Sequence, residues 1–115
     1  MSTAVRSQDR IRLSQEERDK LAPVFSRYLD GFSDAAVYLF GSRIRPGEKG
    51  GDLDLLVLSR QAVPHAYELA KRLRMAVKEA LGDQQVDILI SPEPGADEQT
   101  PFIRLALLES VQIWP

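Results

Sequence analysis

Asp52 and Asp54 stand one residue apart in the run Asp52-Leu53-Asp54-Leu55-Leu56-Val57. In a strand, successive side chains alternate between faces, so the two carboxylates point the same way while Leu53, Leu55 and Val57 fill the opposite face. Two like charges about 4 Å apart repel by about 4 kcal/mol at an effective dielectric of about 20. Such a pair beside a core calls for something positive between its members, and a hard divalent cation such as Mg²⁺ suits carboxylate oxygens. Upstream, Gly41-Ser42 ends another apolar run. Backbone N–H groups at a helix start, with the Ser42 hydroxyl, can hold phosphate oxygens. Glycine at position 41 lets a phosphate come close to the main chain. A third acid, Asp87, lies in Val86-Asp87-Ile88-Leu89-Ile90, opposite an apolar face made by Val86, Ile88 and Ile90. Together these residues point to metal-dependent handling of a phosphate ester, the acids carrying Mg²⁺ that bridges a triphosphate and lowers the pKa of an attacking hydroxyl. No Gly-Lys-Ser/Thr follows the glycines, so this is not a P-loop.

The elements that must position these residues follow from periodicity and stop signals. Ser14-Gln15-Glu16-Glu17 has capping-box spacing and opens a helix with Leu21, Val24, Phe25, Tyr28 and Leu29 as its apolar stripe. Pro23 interrupts it, which predicts either a kink or a later start. Asp30-Gly31 is the stop. Residues 35–40 form the first strand, and Arg43 to Gly51 is a loop rich in Gly and Pro, with a helical turn conceivable after Ser42. Leu53 to Leu58 is the second strand. Pro64 suits the first turn of a helix to about Leu81, with Tyr67, Ala70, Leu73, Val77 and Ala80 inward and Lys71, Arg72, Arg74, Lys78 and Glu79 outward. After Gly82-Asp83 comes the third strand, Val86 to Ile90. If it neighbours the second, Asp87 joins Asp52 and Asp54. Thr100-Pro101 opens a helix to about Glu109, and Val111 to Trp114 is a short extended tail.

With 115 residues the chain has room for one domain, expected over residues 13–115 after a flexible segment 1–12. Its composition, 43% hydrophobic and 28% charged, is that of an ordinary soluble globular protein. A net charge of −2 argues against a broad nucleic-acid binder, leaving short or single-stranded substrates open. Cysteine is absent, which excludes disulfides, thiolate metal sites and cysteine nucleophiles. No apolar run is long enough to span a bilayer and no signal-peptide core opens the chain, so the cytoplasm is the expected compartment.

Gly41-Ser42, the loop, Asp52-Leu53-Asp54 and the later Asp87 resemble the DNA polymerase β-type nucleotidyltransferase superfamily. The small size and the stretch LFGSRIRPGEKGGDLDLLV resemble its minimal (MNT-domain) members, over nearly the whole chain. The resemblance implies an α/β (α+β) fold, a small mixed sheet flanked by helices. It implies transfer of a nucleoside monophosphate, AMP from ATP, with release of pyrophosphate and two Mg²⁺ ions. Asp52, Asp54 and Asp87 take the catalytic and metal positions, and Gly41, Ser42, Arg43 and Arg45 those that bind the nucleotide. Ile44 departs from the small residue common before that arginine, and Gly51 from the serine common before the first Asp. Many such small members act as antitoxins that adenylylate a tyrosine of a HEPN-type toxin, so a HEPN partner is implied, with homo- and hetero-oligomers both open. The alternatives are a binding module that masks its partner without turnover, and a transferase for a small molecule or an RNA end.

Other residues have plainer readings. Lys49 and His65 are expected at the surface, and the basic face from Lys71 to Lys78 as a solvated helix side. Tyr28, Tyr38 and Tyr67 fit core stripes. Ile113 and Trp114 either cover the core or contribute to an interface.

Overall fold

A computed structural model describes residues 13–32, 35–41, 52–59, 63–82, 84–91 and 108–115. Helix α1 spans Gln15–Leu29, strand β1 Ala36–Phe40 and strand β2 Leu53–Leu58. Helix α2 spans Ala66–Leu81, strand β3 Val86–Ser91 and strand β4 Val111–Trp114.

The capping box of α1 is complete. Glu17 N–H donates to Ser14 Oγ at 3.1 Å, and Ser14 N–H donates to Glu17 Oε1 at 3.0 Å. Two donors that have no partner inside the helix are thereby satisfied, which fixes its start at Gln15. Pro23 neither delays the helix nor divides it; it lies exposed inside the continuous span. Leu21, Phe25 and Leu29 are buried on the inward stripe.

The order of the sheet is β3-β2-β1-β4. Strand β2 runs antiparallel to β1 and parallel to β3, and β4 pairs antiparallel with β1. A parallel pair needs a crossover connection, and α2 supplies it. One sheet face is apolar: Val37, Leu39, Leu53, Leu55, Val57, Val86 and Ile90 are buried with the α1 and α2 stripes in one core. The other face carries a smaller cluster in which Leu56 is fully buried against Tyr38, Phe40 and Leu58.

The terminal extended piece is thus a sheet strand, and Trp114 covers the core. Its ring packs tilted on Phe25 with centroids 5.9 Å apart. Two expectations need correction at α2. The helix begins after Pro64, at Ala66, because His65 adopts a left-handed conformation (φ 55°) that a helix cannot contain. Tyr67 is exposed rather than inward, since the buried stripe runs through Leu73 and Val77 with Ala66, Leu69 and Ala70 beside them, about a quarter-turn away. Gly82 ends the helix at φ 99°, its N–H donating to the Lys78 carbonyl at 2.8 Å. Segment 1–12 and the helix expected from Thr100 lie outside the described residues, save for the exposed Leu108 and Glu109 at that helix's expected end.

Candidate functional site

Three consequences of strand pairing build the site. The parallel register places Asp54 directly beside Asp87, on strands that neighbour at about 4.8 Å. The antiparallel register places Asp54 opposite Phe40, the last residue of β1. Gly41 therefore arrives next to the Asp54 side chain. The third consequence concerns Asp52, exposed just before β2, where the strand start is pinned by Leu53 N–H donating to the Gln85 carbonyl at 2.8 Å.

Gly41 is a glycine for two reasons. Its φ of 82° belongs to the left-handed region, and a Cβ there would collide with Asp54 Oδ2 and lie 3.2 Å from Asp54 Cγ. The turn leaving β1 and the acid on β2 are thus in close approach. Asp54 is half-buried, and its carboxyl is raised above its ordinary 3.8, first by burial, then by the charge of Asp87 and then by that of Asp52. Asp54 thus lies within electrostatic reach of the other two acids named by the sequence.

Among the described residues, no three acidic or histidine side chains are close enough together to enclose a metal ion unaided. The three acids stand as neighbours, not as a finished cage. Asp52 and Asp87 are both exposed, and like charges favour separation. This arrangement still suits Mg²⁺, which is commonly bound through one or two carboxylates and completed by water and substrate phosphates. A cation at Asp54 would offset both the burial and the neighbouring like charges that raise its pKa. Ser42, Arg43 and Arg45 lie outside the described residues.

A cavity of about 460 Å³ opens beside Asp54 and Asp87. Its sheet side is formed by Phe40, Asp54, Asp87 and Leu89, and its helix side by Tyr67, Lys71 and Arg74 of α2. Sequence reasoning missed the helix side, taking Lys71 and Arg74 as merely solvated and Tyr67 as core. Spacing of four and then three residues does put Tyr67, Lys71 and Arg74 on one helical stripe. That the stripe borders the acid-bearing strand is a tertiary fact.

The chain belongs to the nucleotidyltransferase domain family, whose model matches residues 18–113. No curated protein matches significantly. Among solved structures, the chain is similar to a crystal structure from Shewanella oneidensis, with TM-score 0.59 and 14% identity over 88% of this chain and 71% of that one. It is also similar to a complex of tri-AMPylated Shewanella oneidensis HEPN toxin with MNT antitoxin, with TM-score 0.55 and 20% identity over 87% and 71% of the two chains. A toxin–antitoxin MntA–HepT structure gives TM-score 0.53 and 20% identity over 88% and 72%. At these identities the likeness is one of fold, that of the polymerase β-like minimal nucleotidyltransferases.

Proposed function

We propose that this domain is an Mg²⁺-dependent adenylyltransferase that moves AMP from ATP to a hydroxyl of a protein partner, a tyrosine of a HEPN-type toxin, and so acts as its antitoxin. The observation that carries the reading is the in-register pair Asp54–Asp87, with Asp52 and the close-approach Gly41 beside it. Family membership supports the reaction class, and the complexes with HEPN toxins among the similar structures support the partner.

In this reading Asp52 and Asp54 would hold two Mg²⁺ ions, with Asp87 beside them. Bound metal would neutralise the triphosphate and ease ionisation of the acceptor hydroxyl. Gly41 and Ser42 hold phosphate oxygens through backbone N–H groups and the serine hydroxyl, with Arg43 and Arg45 as further donors. Asp87 accepts a hydrogen bond from the acceptor hydroxyl and takes its proton. The oxygen attacks the α-phosphorus, the bond from that phosphorus to the bridging oxygen breaks, and pyrophosphate leaves.

The test is an intact-mass measurement. The product of the neighbouring gene is incubated with this protein, ATP and Mg²⁺, alongside the Asp52→Asn/Asp54→Asn variant. AMP added by the wild type alone supports the proposal. A stable complex of unchanged mass would show instead that the partner is masked without turnover.

A further inference from the structure

We infer that the cavity between β3 and α2 is the acceptor side of the site, and that Lys71 and Arg74 select an acidic protein segment around the acceptor hydroxyl. The inference rests on the adenylyltransferase reading and extends it to the acceptor.

Direction is the first ground. The cavity is lined by Asp54 and Asp87 but by neither Asp52 nor Gly41. It begins at the end of β1, where Phe40 lines it, and extends past Asp54 to Asp87 and Leu89 on β3. Strand β3 is an edge of the sheet among the described residues, and Leu89 on it is exposed.

Charge is the second. Lys71 and Arg74 are both exposed, and among the described residues neither is engaged in an ion pair. Cations facing two carboxylates across a cavity give an entering chain two different walls. The acceptor hydroxyl is drawn to Asp87, while carboxylates flanking it are drawn to Lys71 and Arg74. A basic segment would instead meet cations on α2, which makes the wall selective as well as attractive.

Composition is the third, and it favours protein over nucleic acid. Tyr67 is 79% exposed and Leu89 37%, both on the cavity, and Met75 beside Arg74 is 63% exposed. Aromatic, methionine and arginine side chains together are the enriched composition of protein interfaces. A nucleic-acid surface would call for a broader basic field than a chain of net charge −2 provides.

The experiment uses short tyrosine peptides flanked by glutamates, by neutral residues or by lysines, and a short RNA with a free 3′-hydroxyl. Binding is read by fluorescence anisotropy without ATP, and AMP transfer by mass with ATP and Mg²⁺. Wild type is compared with Lys71→Glu/Arg74→Glu, two exposed changes that leave the core intact. The wild type is expected to favour the glutamate peptide by about tenfold, an advantage that added salt weakens. The double variant is expected to lose that advantage and to favour the lysine peptide. Equal binding of all peptides, no measurable binding of the glutamate peptide, or a preference for the RNA would overturn the inference. The two readouts separate its failure from that of the reaction. Charge-selective binding without AMP transfer would leave a docking surface for acidic segments standing and overturn both the adenylyltransferase and the acceptor role of that surface. Transfer that ignores flanking charge would leave the adenylyltransferase standing and overturn the inference.

Discussion

The two faces of one small sheet are held to different standards. On the helix-covered face, Val37, Leu39, Leu53, Leu55 and Val57 are almost wholly removed from water and fit a core with α1 and α2. On the other face the same strands carry Asp54 and Asp87 side by side, an arrangement that burial and repulsion both make unfavourable. Alternation lets one strand serve both purposes, because each residue on the acid face is flanked by residues that hold the strand from behind.

The sharpest way to break this contrast is Asp54→Asn. AMP transfer is expected to fall by about a thousandfold or more while the circular dichroism spectrum is unchanged. Full activity in this variant would remove the acid face from the chemistry. On the opposite face, Leu55→Ala is expected to cost about 2–5 kcal/mol in denaturant unfolding, because Leu55 is fully buried. Transfer per folded molecule should be nearly preserved. A large loss of activity without loss of stability would mean that the faces are not separable.

Gly41→Ala tests the contact at which the turn after β1 meets the acid face. The left-handed backbone and the collision with the Asp54 carboxylate together cost on the order of 1–3 kcal/mol. Both melting temperature and AMP transfer are therefore expected to fall, with transfer down by about tenfold or more as the carboxylate is displaced.

The smallest effect is on pH dependence. The Asp54 carboxyl is raised in the folded state, so between its ordinary value of 3.8 and the raised folded value, the folded protein holds more proton than the unfolded one. This group's contribution to stability is therefore greatest at acid pH and falls as pH rises through that window. Without metal, Asp54→Asn should melt above wild type at neutral pH, and the gap should close below about pH 3.8. Adding Mg²⁺ should also narrow it, by stabilising the wild type through binding to the native state. Calorimetry across pH, with and without Mg²⁺, reads both outcomes.

Much of this molecule is local. The capping box announces the start of α1 because Ser14 and Glu17 satisfy each other within one turn. Alternation in Leu53–Leu58 and Val86–Ser91 sets which residues share a face, because a strand has no other way to arrange them. That is why Asp54 and Asp87 could be assigned to one side before their strands were known to pair. The departures were non-local or depended on a single dihedral. Tyr67 was expected in the core because its spacing fits a stripe, but the stripe that is buried is the one the sheet selects. His65 takes a left-handed conformation that its residue type permits without announcing it.

What the sequence determined by itself was the phase of each element and the inventory of acids, since both depend on neighbours a few residues apart. Only the tertiary structure decided the order β3-β2-β1-β4 and the parallel pairing that sets Asp54 beside Asp87. It alone brought the Gly41 turn against that acid and the cationic side of α2 to the same cavity. These contacts join residues far apart in the chain. They exist because helices α1 and α2 must bury their stripes on one face of the sheet, which leaves Asp54 and Asp87 together on the other.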